Sequence, residues 1–221
     1  MSAQSVRAVL ANRRIIVVVR HEDRAAAEAV ARAAAAGGLR AVEITMSVPG
    51  APGLIDVLRR SLDADVIVGA GTVLTAAQAD AVVAAGARYV VSPGLDRAVF
   101  ERCSAARVPL LPGALTPTEV MACRALGLDA VKLFPSASGG PKHLRALRSV
   151  FPDIAFVPTG GVTSANAADW FDAGALALGL AGEFQAAHRD SGSDAVRLLA
   201  QRLSESFEKV NGTRSIRGAT M

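Results

Sequence analysis

The 221-residue chain is half apolar (51%), poor in aromatics (4%) and mildly basic, with 24 Lys and Arg against 20 Asp and Glu and a net charge of +4. That length holds one large domain or two small ones, with enough apolar residues for a sizeable core. The arginines are mostly spaced singly along helical stretches (Arg24, Arg32, Arg59, Arg60, Arg102, Arg107) and not gathered in a block, which argues against nucleic acid as a partner and for solvated helix faces with some attraction for small anions.

Ser2 to Asn12 reads as a leading helix, and Ile15 to Val19 as a β-branched strand ending in Arg20-His21. An alanine-rich helix covers Asp23 to Gly37, closed by Gly37-Gly38. Strand two is Arg40 to Thr45, with a helix from Pro52 to Leu62; strand three is Asp65 to Gly69, with a glycine-rich turn at 70–75 and a helix to Ala85. Arg88 to Val91, Pro109 to Leu111, Ala130 to Phe134, Ile154 to Val157 and Ala175 to Leu178 are the remaining strands. Helices are expected over Asp96–Ala106, Thr116–Leu126, Pro141–Val150, Ser164–Ala173 and Asp194–Val210. Eight strand–helix alternations demand a parallel sheet with right-handed crossovers, and the pattern points to a closed (β/α)8 TIM barrel with an N-terminal leading helix. No linker or charge block divides 1–221, so a single domain is expected, with 212–221 a frayed tail. Cys103 and Cys123 form no motif, which suggests a reducing compartment. No signal-peptide order and no 18-residue apolar span is present, so a cytoplasmic protein with no membrane contact is expected.

Barrel chemistry gathers at the C-terminal ends of the strands. Those ends carry Arg20, then Glu43 with Thr45, Gly71-Thr72, Ser92-Pro93-Gly94, Pro112-Gly113, Lys132 with Phe134, Thr159-Gly160-Gly161, and Gly179 to Gly182. Strand alternation puts Lys132 and Phe134 on one face and Val131 and Leu133 on the other; it also turns Glu43 inward with Ala41 and Thr45. Burial disfavours an ammonium, and the neutral amine it leaves can attack a carbonyl. A structural Glu43–Lys132 ion pair is the plainer alternative, although a buried pair is costly relative to apolar packing. Arg20, in phase with Ile16 and Val18, suits a substrate carboxylate or else sits as a rim charge. Gly160-Gly161 and the glycines after strand eight either expose backbone N–H groups to an anion or only cap helices. No His/Cys/Asp cluster has metal-ligand spacing, and no cofactor motif is present.

V-E-I-T at 42–45, V-G-A-G-T-V-L at 68–74, V-S-P-G-L at 91–95, P-L-L-P-G at 109–113, V-K-L-F-P at 131–135 and V-P-T-G-G-V at 157–162 follow one another in an order and spacing that resemble the 2-keto-3-deoxy-6-phosphogluconate and 4-hydroxy-2-oxoglutarate aldolase family. The resemblance runs from about residue 14 to residue 184. It implies a homotrimeric class I aldolase that cleaves a 2-keto-4-hydroxy acid, as in the Entner-Doudoroff route. Lys132 would be the Schiff-base lysine and Glu43 the acid/base acting through water. Thr72, Pro93, Phe134 and Thr159 would line the substrate. Gly160, Gly161, Ala181 and Gly182 would hold its distal phosphate or carboxylate.

Two positions depart from the family's pattern. Ser47 stands where members often carry an arginine, and Arg20 is expected to bind the carboxylate instead. Ala181-Gly182 stands where the phosphate loop usually reads glycine-serine, which removes a hydroxyl donor and brings non-phosphorylated substrates within range. The competing readings are an aldolase for 2-keto-3-deoxy-6-phosphogalactonate or for a non-phosphorylated keto acid, a phosphate-binding isomerase or thiamin-pathway barrel, and a non-enzymatic keto-acid or phosphosugar binder.

Overall fold

In the computed structural model, which describes residues 5–217, the short apolar runs pair as parallel strands and the alanine-rich stretches between them form helices. β1 (Ile15–Val19), β2 (Ala41–Thr45), β3 (Ile67–Gly71), β4 (Val90–Val91), β5 (Leu110–Leu111) and β9 (Leu178–Leu180) make one sheet in the order β5-β4-β3-β2-β1-β9. β6 (Gly113–Ala114), β7 (Ala130–Leu133) and β8 (Ala155–Pro158) make a second, in the order β6-β7-β8. Pro112 alone separates β5 from β6, and its carbonyl accepts the Lys132 N–H at 2.8 Å. At the far edges the Leu176 N–H donates to Phe156 O at 2.9 Å, and Thr159 bridges Gly179 in parallel. The result is an α/β fold with a curled parallel sheet.

The helices are α1 (Val6–Val9), α2 (Arg24–Ala36), α3 (Ala51–Ser61), α4 (Ala76–Ala84), α5 (Arg97–Ala105), α6 (Pro117–Ala125), α7 (Gly140–Val150), α8 (Ala167–Asp172) and α9 (Gly182–Arg217). Several start where a short polar side chain satisfies a free N–H: Asp23 accepts from Ala25, Thr75 from Gln78 and Asp96 from Val99. Thr116 and Glu119 form a reciprocal capping box on α6.

Strand alternation sorts the buried residues into two layers. Val17, Val19, Val42, Ile44, Val68, Val131 and Leu133 face the helices in the larger cluster. Ile16, Val18, Ala41, Ile67, Tyr89, Val91, Leu111, Ala130, Ala155, Val157 and Ala177 form a separate inner cluster on the concave side. Val6 and Leu10 join that inner cluster and close its N-terminal end; burying each stabilises by about 1.5–3 kcal/mol. Asp129, just before β7, holds this plug through the Val6 N–H (3.1 Å) and the Ser5 hydroxyl. The scattered surface arginines are spent locally: Arg32 pairs with Glu28 at 2.7 Å, and Arg59 and Arg60 share Asp56 at 2.8 Å each.

Some boundaries differ from the sequence reading. The leading helix is one turn, Val6–Val9, where Ser2–Asn12 was expected; residues 1–4 lie outside the described residues, as do 218–221 at the end of the expected tail. β3 runs on through Gly71, two residues past the expected end, so part of the presumed glycine turn is strand. β9 lies at Leu178–Leu180, beyond the expected Ala175–Leu178. α8 starts at Ala167, not Ser164, because Asn166 Oδ1 accepts the Thr163 N–H at 2.9 Å and holds 163–166 as a turn. α9 begins at Gly182, not Asp194, with a break at Gly192 (φ 72°). Among the described residues no helix is long and apolar enough to cross a membrane.

Candidate active site

Lys132 and Glu43 meet on the concave side of the sheet, as their strand phases require. Lys132 is 6% and Glu43 2% exposed, and Lys132 Nζ stands 3.9 Å from Glu43 Oε1. That gap is too long for a hydrogen bond, and no other donor among the described residues reaches this oxygen. A buried pair left at this distance recovers little of its desolvation cost, so stability alone does not account for it. Burial raises the Glu43 pKa above its ordinary value of 4.5, opposed by the charges of Lys132 and Arg20. A carboxyl held in this way can carry a proton closer to neutral pH than a surface glutamate can. The Phe134 ring lies 4.9 Å from Lys132 Nζ, face toward the cation.

The glycines of the 68–74 motif clear the space for this pair. A Cβ on Gly71 would stand 2.0 Å from Glu43 Oε1, and one on Gly69 would stand 2.4 Å from the Tyr89 ring. Tyr89, buried beneath the site, donates to Val42 O at 3.0 Å, and burial together with Glu43 keeps its phenol protonated. Thr72 follows with φ 57°, a left-handed conformation that a β-branched residue rarely adopts and that costs about 1–3 kcal/mol. Flanking bonds hold it there: Met46 N–H to Gly71 O at 2.8 Å and Val73 N–H to Val91 O at 3.1 Å. The strain points the Thr72 hydroxyl at Arg20, whose guanidinium donates to it at 2.9 Å. Arg20, Thr72, Glu43 and Lys132 therefore form one connected group at the strand ends. Ser47 is turned to the Thr45 hydroxyl at 2.7 Å and supplies no cation.

Beside Lys132, at the end of the neighbouring strand β8, lies the 159–161 loop. Gly160 and Gly161 both have φ 84°, open to glycine at no steric cost. Ser136, not anticipated from the sequence, fixes the loop to the end of β7: its buried hydroxyl donates to Gly160 O at 2.7 Å, its N–H to Thr159 O at 2.9 Å, and the Ala137 N–H to Gly160 O at 2.9 Å. The Phe134 ring lies against Gly160, and Thr159 fills the space over Gly179. Pro93 is exposed at the mouth, its carbonyl against Gly113. Ala181 and Gly182 open α9, so their N–H groups lie at a helix start. The expected helix N-terminus at Ser164 is absent. The Ser164 N–H and hydroxyl are both taken by the Glu183 carboxylate, each at 2.8 Å.

The free thiols Cys103 and Cys123 lie in the outer layer, away from this group, and burial pushes each up to about 11. Among the described residues no cluster of three or more His, Cys, Asp or Glu could hold a metal.

The family model "KDPG and KHG aldolase" matches residues 6–197. A 2-dehydro-3-deoxy-phosphogluconate aldolase of Treponema pallidum (strain Nichols) is 40% identical over 158 residues, 71% of this chain and 75% of the relative. A 2-dehydro-3-deoxy-6-phosphogalactonate aldolase of Escherichia coli (strain K12) is 37% identical over 144 residues, 65% of this chain and 70% of the relative. The KDPG aldolase of Legionella pneumophila, solved with pyruvate captured as a covalent carbinolamine intermediate, superposes with a TM-score of 0.80 at 32% identity, covering 90% of this chain and 97% of that one.

Proposed function

The chain belongs to the KDPG and KHG aldolase family, and from that premise we propose that it cleaves a 2-keto-4-hydroxy acid to pyruvate and an aldehyde through an imine at Lys132. The observation that carries this reading is the buried lysine facing a buried glutamate across 3.9 Å, in an otherwise apolar interior. Lys132 Nζ attacks C2 of the keto acid, and loss of water from the carbinolamine gives an iminium. Glu43 takes the proton of the C4 hydroxyl; the C3–C4 bond breaks, its electrons pass into the iminium, and the aldehyde leaves. Glu43 then returns a proton to C3 of the enamine, and hydrolysis of the pyruvate iminium frees the lysine. The 3.9 Å separation favours relay through a bridging water over direct transfer.

Arg20 and Thr72 hold the substrate carboxylate, with Pro93, Phe134 and Thr159 around the reacting carbons. Backbone donors at Gly160, Gly161, Ala181 and Gly182 take the distal anion. Two observations support a closed (β/α)8 barrel of a single domain behind this site: the chain's continuity through Pro112 and the Thr159–Gly179 bridge. A homotrimer would cover exposed apolar side chains such as Leu74 (52%) and Met121 (60%). A cytoplasmic setting suits two unpaired thiols.

The test is pyruvate release from 2-keto-3-deoxy-6-phosphogluconate and from 4-hydroxy-2-oxoglutarate, followed by a coupled dehydrogenase. Turnover of at least one substrate by the wild type, lost in Lys132→Ala, is expected. Equal activity in that variant would remove the imine from the mechanism.

A further inference from the structure

A carboxylate of the chain itself ties together the two loops that close the distal end of the site. Glu183 follows Gly182 at the start of α9, and Ser164 lies just past Gly161 in the loop after β8. Glu183 Oε2 accepts the Ser164 N–H and Oε1 accepts the Ser164 hydroxyl, each at 2.8 Å. A half-buried negative charge therefore sits between the ends of β8 and β9, on donors that an anion would otherwise seek.

No cation offsets it locally. Among the described residues Glu183 bonds to no lysine or arginine. Further along α9, Arg189 pairs with its neighbour Asp190 at 3.0 Å, in solvent. Asn166 turns its amide back on its own loop, donating to Gly161 O at 3.0 Å and accepting the Thr163 N–H at 2.9 Å. Gln185 Nε2 donates to Val18 O at 2.9 Å, and its buried Oε1 has no hydrogen-bond partner among the described residues. The opening of α9 thus carries a carboxylate and an unmet acceptor. A helix start offers the equivalent of about half a positive charge, which a carboxylate in its first turn already compensates. What remains for a ligand there is neutral backbone donors. They suit a hydroxyl or a single carboxylate; a phosphate, at about −1.5 to −2 charge near pH 7, meets repulsion that grows with its charge.

Resting on the aldolase reading, we propose that Glu183 is a charge filter at the distal end of the site. It sets the substrate class as 2-keto-4-hydroxy acids whose tail is neutral or singly negative, and it selects against a phosphorylated tail. The filter acts by repulsion, apart from any hydroxyl missing at Ala181-Gly182.

The experiment compares kcat/KM of wild type and the near-isosteric Glu183→Gln on three substrates of rising tail charge: 2-keto-3-deoxygluconate, 4-hydroxy-2-oxoglutarate and 2-keto-3-deoxy-6-phosphogluconate. For a solvated site the gain should be about threefold per negative charge on the tail. The phosphorylated substrate should therefore gain about tenfold, the dicarboxylate about threefold, and the neutral-tailed one less than about 1.5-fold. In about 1 M salt the tenfold gain should shrink, and a gain of undiminished size there would count against a filter made of charge. Glu183→Asp, which keeps the charge, should keep the wild-type ranking of substrates. Equal changes on all three substrates, or none, would overturn the proposal. So would a Ser164→Ala variant that reproduces the Glu183→Gln pattern, because the lost hydrogen bond and not the charge would then set the preference. A wild type that forms no pyruvate adduct with borohydride would instead sink the aldolase reading itself, a result distinguishable from these.

Discussion

Replacing Gly71 by alanine should damage the chemistry while sparing the fold. Gly71 has an ordinary negative-φ strand conformation, so alanine adds no backbone strain. Its new Cβ would stand 2.0 Å from Glu43 Oε1, 2.6 Å from Cδ and 2.7 Å from Cγ. To reach even a tight 3.0 Å contact the carboxylate oxygen must retreat by about 1 Å. A displacement of that size at a reacting group costs about a hundredfold in rate. The repacking should cost the fold about 1–3 kcal/mol. The assay is steady-state pyruvate release alongside thermal unfolding. Gly69→Ala is the control: its Cβ would meet the rigid Tyr89 ring at 2.4 Å, so stability should fall further while kcat of the folded fraction stays nearer wild type. A folded Gly71→Ala enzyme turning over at the wild-type rate would refute the role given to the Glu43 position.

Gly182→Ser should shift preference toward the phosphorylated substrate by about tenfold, up to about 150-fold, the range for one hydroxyl bonded to an ionised group. A Cβ there meets nothing within 4 Å, so the residue fits, and an unchanged substrate ratio would count against the missing hydroxyl as a specificity device. Arg20→Ala should raise the KM for pyruvate about tenfold with a smaller change in kcat, measured in the condensation direction; a fall in kcat alone would assign Arg20 to proton transfer. Glu119 has its pKa lowered from 4.5 chiefly by the Leu115 and Thr116 N–H groups, then by the Thr116 hydroxyl. Its contribution to stability is therefore present above pH 4.5 and lost as pH falls through the lowered value. Glu119→Gln should thus cost about 1 kcal/mol or less at pH 7, a gap that denaturant titrations should show closing in acid. A gap of equal size at low pH would contradict that account.

Side-chain alternation was enough to place Glu43 and Lys132 on one concave surface, because the two-residue period of a strand survives any uncertainty about its ends. The same rule put Arg20 in phase with Ile16 and Val18. The glycines misled. Gly71 read as part of a turn by composition, yet it is a strand residue kept bare for the Glu43 carboxylate, as Gly69 at the expected strand end is for the Tyr89 ring, neighbours distant in sequence. Gly182 and Gly192 likewise hid the first part of α9, which carries Gln185 and Arg189. Ser136 left no signal of its own, since its hydroxyl finds a carbonyl 24 residues away. The strain at Thr72 is also invisible in sequence, because φ there is set by the flanking bonds from Met46 N–H to Gly71 O and from Val73 N–H to Val91 O.

The central claim is that Lys132 forms the imine. Its most direct test is incubation of the wild type with pyruvate and borohydride, followed by peptide mass spectrometry. A reduced pyruvate adduct on the peptide carrying Lys132, abolished in Lys132→Ala and still formed in Lys142→Ala, is the predicted result. An adduct on Lys142 or another lysine, or none in an enzyme that still cleaves substrate, would contradict it.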